Sequence, residues 1–216
     1  MNRDYQKRNE KEYNLFRKVM QWITCNLVYG TYYRLAFGLT IEGRHNVPRN
    51  GFAIVASNHV SAIDPFLVAY AVNRPVAFMA KLELFEKKIM RLFLNMLGAF
   101  AVNRQKLSPS TIKTAHAIKH TNWLLGIFPQ GTRERDDNMD NINKGFASFA
   151  KTLKCDIIPI GISGVAKGKR KLFKSKMKIK IGEPIKYTQN VEEMITLWSN
   201  KVKELIEGSK NESEKC

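Results

Sequence analysis

Proton-transfer chemistry in this chain centres on the stretch Ser57-Asn58-His59-Val60-Ser61-Ala62-Ile63-Asp64-Pro65. His59 offers a ring that can take a proton near neutral pH. Asp64 offers a carboxylate that can hold that ring. The two stand five positions apart, whereas neighbours on a helix stand three or four apart, so a shared helix face does not join them. A bend does. Asp64-Pro65 is a strong helix-start signal, with Asp as N-cap and Pro in the first helical position. His59 then lies on a loop and Asp64 at the next helix start. One carboxylate oxygen can meet a ring nitrogen while the other caps the helix. The other ring nitrogen is left as a general base, a role that contributes roughly 10²–10⁴-fold in rate.

Two further loops offer donors. Arg104 follows the apolar run Gly98–Asn103. In Phe128-Pro129-Gln130-Gly131-Thr132-Arg133, Gly131 permits a tight approach, and Thr132 and Arg133 can donate hydrogen bonds. Each arginine alone reads equally as a surface residue. Together, at neighbouring strand ends, they suit bidentate recognition of a phosphate. No serine elbow, cysteine–histidine signature, Walker loop or dinucleotide glycine set is present. A base without a protein nucleophile points to attack by a substrate group, and a hydroxyl on a phosphate-bearing substrate fits.

The elements that must position these loops are legible as alternating strands and helices. Apolar runs at 52–57, 76–80, 98–103, 123–128 and 156–162 read as buried strands. A short strand falls near 39–43, and the alternating 176–182 reads as a half-exposed strand. Helices are expected after Asp64, over 82–96, over 108–120 with Ser108 as N-cap and Pro109 first, over 144–153, and over 191–208 before a frayed tail. This pattern predicts an α/β domain with a largely parallel central sheet flanked by helices. Sites in such sheets gather beyond the strand ends.

The chain has 216 residues, suited to one domain with a short appendage, and a formal net charge of +17. Such a charge attracts polyanions: nucleic acid, anionic lipid or acidic protein. The three cysteines, Cys25, Cys155 and Cys216, give no disulfide framework and no zinc spacing. A reducing compartment is the default reading, Cys155 reads as a small core residue, and no metal is expected.

Residues 15–37 read as an amphipathic helix, with Phe16, Val19, Met20, Ile23 and Leu27 on one stripe and Arg17, Lys18, Gln21 and Thr24 elsewhere. Gly30 can divide it. Trp22, Tyr29, Tyr32 and Tyr33 are rings of the kind that favour membrane interfaces. The uncharged run from Val19 to Tyr33 is shorter than the roughly 20 apolar residues of a spanning helix. The segment fits two placements, packed on the domain or lying in a membrane surface.

The motifs resemble those of the glycerolipid acyltransferase family. Asn58–Asp64 resembles its NHxxxxD motif, Gly98–Arg104 its second block, Phe128–Arg133 its FPEGTR block, and Ile157–Ile162 its last, proline-containing block, in the same order and at similar spacing. The resemblance covers roughly residues 40–185, and its first and third blocks are the most specific. Within the family, the likeness is greatest to the branch that acylates 1-acyl-sn-glycerol-3-phosphate.

This likeness implies acyl transfer from a thioester, acyl-CoA or acyl-carrier protein, to a lysophospholipid hydroxyl, giving phosphatidic acid, with no other cofactor. It implies that His59 is the base and that Asp64 orients it. Asn58 supports the loop, and Arg104, Gln130, Gly131, Thr132 and Arg133 form the acceptor side. Ile158 and Pro159 shape the acyl-donor side. It also tips residues 1–38 toward a membrane anchor ahead of an α/β acyltransferase domain over 39–216, with the protein held at the cytoplasmic face of a membrane.

One position departs from the pattern: Gln130 stands where the family has Glu. Gln keeps a hydrogen-bonding carbonyl and loses the charge, so no essential carboxylate is expected there. Either Gln130 adjusts the acceptor site or the acceptor is another lipid, such as a lyso-ornithine lipid. The lysines and arginine between 167 and 180 have no acidic residue among them. They suit a solvated face with a basic strand edge, an anionic membrane surface or an acidic carrier protein. A basic nucleic-acid-binding module is the reading from another class. It explains the charge but leaves the two main motifs without a purpose.

Overall fold

A computed structural model describes residues 5–103, 108–131, 142–164 and 177–214. Seven strands form one sheet: β1 (Thr40–Glu42), β2 (Ile54–Ser57), β3 (Val76–Lys81), β4 (Phe100–Val102), β5 (Leu124–Ile127), β6 (Ile157–Ser163) and β7 (Lys178–Ile181). Their spatial order is β1-β7-β6-β2-β5-β3-β4. Every pairing is parallel except β6 with β7. The expected α/β class and largely parallel sheet are present.

Strand alternation divides the core. Ile54 and Ala56 of β2 face one side, where α5 (Pro109–Lys119), α6 (Gly145–Leu153) and α7 (Val191–Glu214) pack through Ile118, Phe146 and Trp198. Val55 faces the other side, against α3 (Asp64–Val72) and α2 (Thr31–Phe37) through Leu67, Val68 and Phe37. Parallel strands buried on both faces need such cover, which is why they read as unbroken apolar runs.

Several expectations about local structure are refined. The helix expected over 82–96 is a 3-10 turn, Leu82–Phe85, followed by α4 (Lys88–Met96). The last helix continues to Glu214, past the expected end at 208. Ser108 caps α5 by accepting from the Thr111 N–H. β7 is not an edge strand, since it lies between β1 and β6. Ile179 and Ile181 turn into the core, and Lys180 pairs with Glu42 at 3.4 Å. The polar loop expected over 134–143 lies mostly outside the described residues.

Pro159 sits inside an interior strand, where a missing N–H ordinarily breaks a ladder. In a strand, N–H and C=O of one residue point the same way. The Pro159 carbonyl accepts from the Gly182 N–H, so the absent N–H faces the β7 side. There the ladder already pauses, between the Ile160–Ile181 pair and the isolated bridge of Ile157 with Ile185.

Residues 15–37 are helical throughout: α1 (Leu15–Trp22), a π-helical stretch (Ile23–Gly30) and α2. Gly30 does not break the segment. A side chain there would run into the Tyr70 ring, whose Cδ2 would lie 2.5 Å from a Cβ, so glycine is what lets this helix lie on α3. The polar stripe faces the domain. Arg17 donates to the Glu12 carbonyl and to Asn95 Oδ1, and the Gln21 amide bonds Val76 and Leu97 main-chain groups at 2.8 Å. The apolar stripe faces outward, with Phe16 61% and Trp22 52% exposed.

Residues 5–13 belong to the α/β packing. The Tyr5 carbonyl accepts from the Ala101 N–H, Arg8 bonds Thr114 and Ala99, and Trp123 donates to the Tyr13 carbonyl. Among the described residues of 1–38, 5–13 pack against the α/β elements and 15–37 presents an apolar outer face. Among the described residues, no helix is long and apolar enough to cross a membrane.

Candidate active site

The C-terminal ends of β2, β3 and β5 share one edge of the sheet, because these strands run parallel. The loop after β2 carries His59. Its ring Nδ1 lies 2.8 Å from Asp64 Oδ2, so the bend that the spacing requires is present. Asp64 does not use its other oxygen as a helix cap. Oδ2 alone accepts the ring nitrogen and the N–H groups of Val60 and Ser61, both at 2.7 Å. Oδ1 is buried without a hydrogen-bond partner among the described residues. The N-cap position falls on Ile63, and the carboxylate folds back onto the loop it follows.

Side chains satisfy this loop where no ladder can. Asn58, fully buried, donates to the Ile162 carbonyl at 2.9 Å and accepts from the Ile162 N–H at 2.7 Å, tying the loop to β6. Gln130 Oε1 accepts from the His59 main-chain N–H at 2.7 Å. Phe128 stacks on the imidazole, with ring centroids 4.2 Å apart. The imidazole is thus held at Nδ1, along its backbone and over one face. His59 is 7% exposed, and Nε2 is the ring nitrogen left for a reacting group.

The turn that brings Gln130 to His59 closes through the Gly131 N–H, which donates to the Phe128 carbonyl at 2.9 Å. Gly131 has a φ of +69°, a left-handed backbone that glycine adopts without strain.

His59 lines an apolar cavity of about 340 Å³. One wall is the π-helical stretch, through Cys25 and Tyr29. Another is α4, through Met90, Phe93 and Leu94. Tyr29 is fixed by stacking on Phe66, at 4.2 Å between ring centroids. π-helical turns recur at functional sites, and here the turn supplies cavity wall. Burial pushes the Cys25 thiol up to about 12, so it stays neutral and is no nucleophile at neutral pH. Such a cavity has the lining to suit a hydrocarbon chain, and it ends at the imidazole.

The structure brings together His59, Asp64, Asn58, Gln130 and Gly131. Arg104, Thr132 and Arg133 lie outside the described residues, as does the basic run from 165 to 176. Ile158 and Pro159 are buried in β6 beside β2, Ile158 within the core, and neither lines the cavity at His59. The sequence reading passed over Phe128 as a ring partner. The aromatic just before Pro129 at a strand end was the available signal. Among the described residues, no cluster of histidine, cysteine and carboxylate side chains could hold a metal ion.

A histidine braced by an aspartate five residues on thus stands at the end of a parallel sheet beside an apolar cavity, and the chain belongs to the Acyltransferase family, whose model matches residues 38–163. Among curated proteins it is similar to the 1-acyl-sn-glycerol-3-phosphate acyltransferase of Bacillus subtilis (strain 168), with 32% identity over 68% of this chain and 74% of the relative. It is also similar to the protein of that name in Borreliella burgdorferi, with 28% identity over 56% of this chain, and it spans only 50% of that relative. The crystal structure of the 1-acyl-sn-glycerophosphate acyltransferase PlsC from Thermotoga maritima shares the fold. Its TM-score is 0.66 at 20% identity, covering 93% of this chain and 98% of that one.

Proposed function

We propose that this enzyme transfers a fatty acyl group from a thioester to the free hydroxyl of 1-acyl-sn-glycerol-3-phosphate, giving phosphatidic acid. The observation that carries the reading is the His59–Asp64 pair opening onto an apolar cavity. His59 Nε2 takes the hydroxyl proton as the oxygen attacks the thioester carbonyl. The tetrahedral intermediate collapses, the C–S bond breaks, and the thiolate leaves with the proton from the imidazolium. Asp64 keeps Nδ1 protonated and stabilises the imidazolium charge. The cavity holds an acyl chain. Arg104, Thr132 and Arg133 supply donors to the acceptor phosphate, a role supported by their types and their sequence position.

The membrane is the partner from which the lysophospholipid acceptor comes. The outward stripe of residues 15–37 is joined by α4, where Ile89 is 86% and Leu92 69% exposed. Lys87, Lys88 and Arg91 flank these residues in sequence. This supports a protein lying in an anionic membrane surface. The reducing compartment read from the cysteines supports the cytoplasmic face. The donor is acyl-CoA or an acidic acyl-carrier protein, and the positive net charge suits either. The protein needs no nucleic acid for this chemistry.

The test is acyl transfer by the purified chain in lipid vesicles, crossing acyl-CoA and acyl-carrier-protein thioesters with several lysolipids. His59→Ala is expected to lower kcat by about 10²–10⁴-fold with an unchanged circular dichroism spectrum. Substantial turnover by a folded His59→Ala protein would remove the mechanism. Preference for lyso-ornithine lipid would move the acceptor while leaving the mechanism in place.

A further inference from the structure

We infer that Gln130 is a positioning residue that fixes the His59 main chain, and that its neutrality keeps the base unprotonated to lower pH than a carboxylate there would allow. The inference rests on the reading of His59 as base. Its observation is separate: Gln130 is 6% exposed, and its Oε1 accepts from the His59 N–H at 2.7 Å.

The loop offers three consecutive main-chain donors, at His59, Val60 and Ser61, and two acceptors take them. Asp64 takes the second and third, and Gln130 takes the first. An amide carbonyl oxygen does this as well as a carboxylate oxygen. The charge of the family's usual Glu is therefore not needed for the contact. A charge would have a further effect. Oδ2 of Asp64 already accepts three bonds, and its Oδ1 is buried without a partner among the described residues. A second carboxylate at 130, hydrogen-bonded to the His59 main-chain N–H, would add negative charge beside that residue and favour imidazolium.

The other titratable groups around His59 do not duplicate that charge. Cys25 and Tyr29 on the π-helical stretch and Lys81 at the end of β3 line the same cavity. Burial keeps the Cys25 thiol neutral, and Lys81 pairs with Glu83 at 3.0 Å. Phe128 covers one face of the ring and carries no charge. Asp64 is thus the acidic group in contact with the imidazole among the described residues.

The experiment compares Gln130→Glu and Gln130→Leu with the unaltered chain, using vesicles containing 1-acyl-sn-glycerol-3-phosphate and palmitoyl-CoA over a pH series. Gln130→Glu keeps the contact and adds charge. The acid limb of its kcat profile is expected to move up by about one pH unit, with activity restored at higher pH. Gln130→Leu loses the contact, and kcat is expected to fall about tenfold or more, with the acceptor KM unchanged. An acid limb unmoved in Gln130→Glu overturns the electrostatic half. A raised acceptor KM with normal kcat in Gln130→Leu overturns the positioning half and returns Gln130 to the acceptor site. If Gln130→Leu fails to fold, the pH profile of Gln130→Glu decides. Failure of the underlying reading has its own signature, a His59→Ala protein that still turns over.

Discussion

At the scale of single residues, the site is a set of loop amides whose partners arrive from distant segments. Asn58 is the clearest case. Its side chain satisfies both the N–H and the C=O of Ile162, and its burial is complete. Asn58→Ala leaves both groups unpaired in the interior, at a cost of about 2 kcal/mol or more. Urea titration is expected to register that loss, together with reduced kcat from a loosened His59 loop. Unchanged stability would mean that water reaches Ile162. The His59–Asp64 pair was legible because its logic is local: five positions, an Asp-Pro helix start and a required bend. The partners of Asn58 and of the His59 N–H were not legible, because they lie 104 and 71 positions away. Gln130 illustrates the difference. Its departure from the family pattern stands out in sequence, but its partner, the His59 N–H, does not.

At the scale of elements, the helical segment 15–37 teaches most. Periodicity separated Phe16, Val19 and Leu27 from Arg17, Gln21 and Thr24. It could not tell which stripe meets the domain, because a period is the same from either side. Ordinary burial favours the apolar stripe inside. The structure takes the reverse, because Arg17 and Gln21 find main-chain and side-chain partners at Glu12, Asn95, Val76 and Leu97. The exposed apolar stripe then supports the proposed membrane contact. The double variant Phe16→Glu, Trp22→Glu is expected to leave thermal stability nearly unchanged, since both side chains are largely exposed. It is expected to weaken vesicle binding about tenfold or more, since burying one large apolar side chain is worth about 1.5–3 kcal/mol. Vesicle flotation measures the second effect. Binding equal to that of the unaltered chain would detach this stripe from the membrane.

At the scale of the whole molecule, fold class followed from the alternation of runs, but strand order did not. β2 pairs with β5 and β6, which are far from it in sequence, and the antiparallel entry of β7 leaves no local mark. Net charge is likewise a global quantity that a single sequence reads well but cannot aim. Here the fold supplies a direction. The apolar stripe and the outer face of α4 lie on elements that also wall the cavity opening to His59. Lys18 on α1 and Lys88 and Arg91 on α4 belong to these same elements. Attraction of this kind is worth about 1 kcal/mol for each cation near an anionic leaflet, and it is screened over a Debye length of about 10 Å at 0.1 M salt. Binding to phosphatidylcholine vesicles that contain phosphatidylglycerol is therefore expected to weaken steeply as salt rises from 50 to 500 mM, on the order of tenfold or more. Binding to pure phosphatidylcholine should be weaker and nearly insensitive to salt, because the apolar stripe acts alone there. Equal affinity for the two vesicles at low salt would remove the electrostatic share of docking. Salt-sensitive binding to DNA without binding to either vesicle would instead favour a nucleic-acid surface. A neutral Phe16→Ser, Trp22→Ser variant, which adds no charge to this face, separates the contributions further. It should lose the salt-insensitive share and keep the salt-sensitive one, so its residual binding to anionic vesicles should disappear at 500 mM.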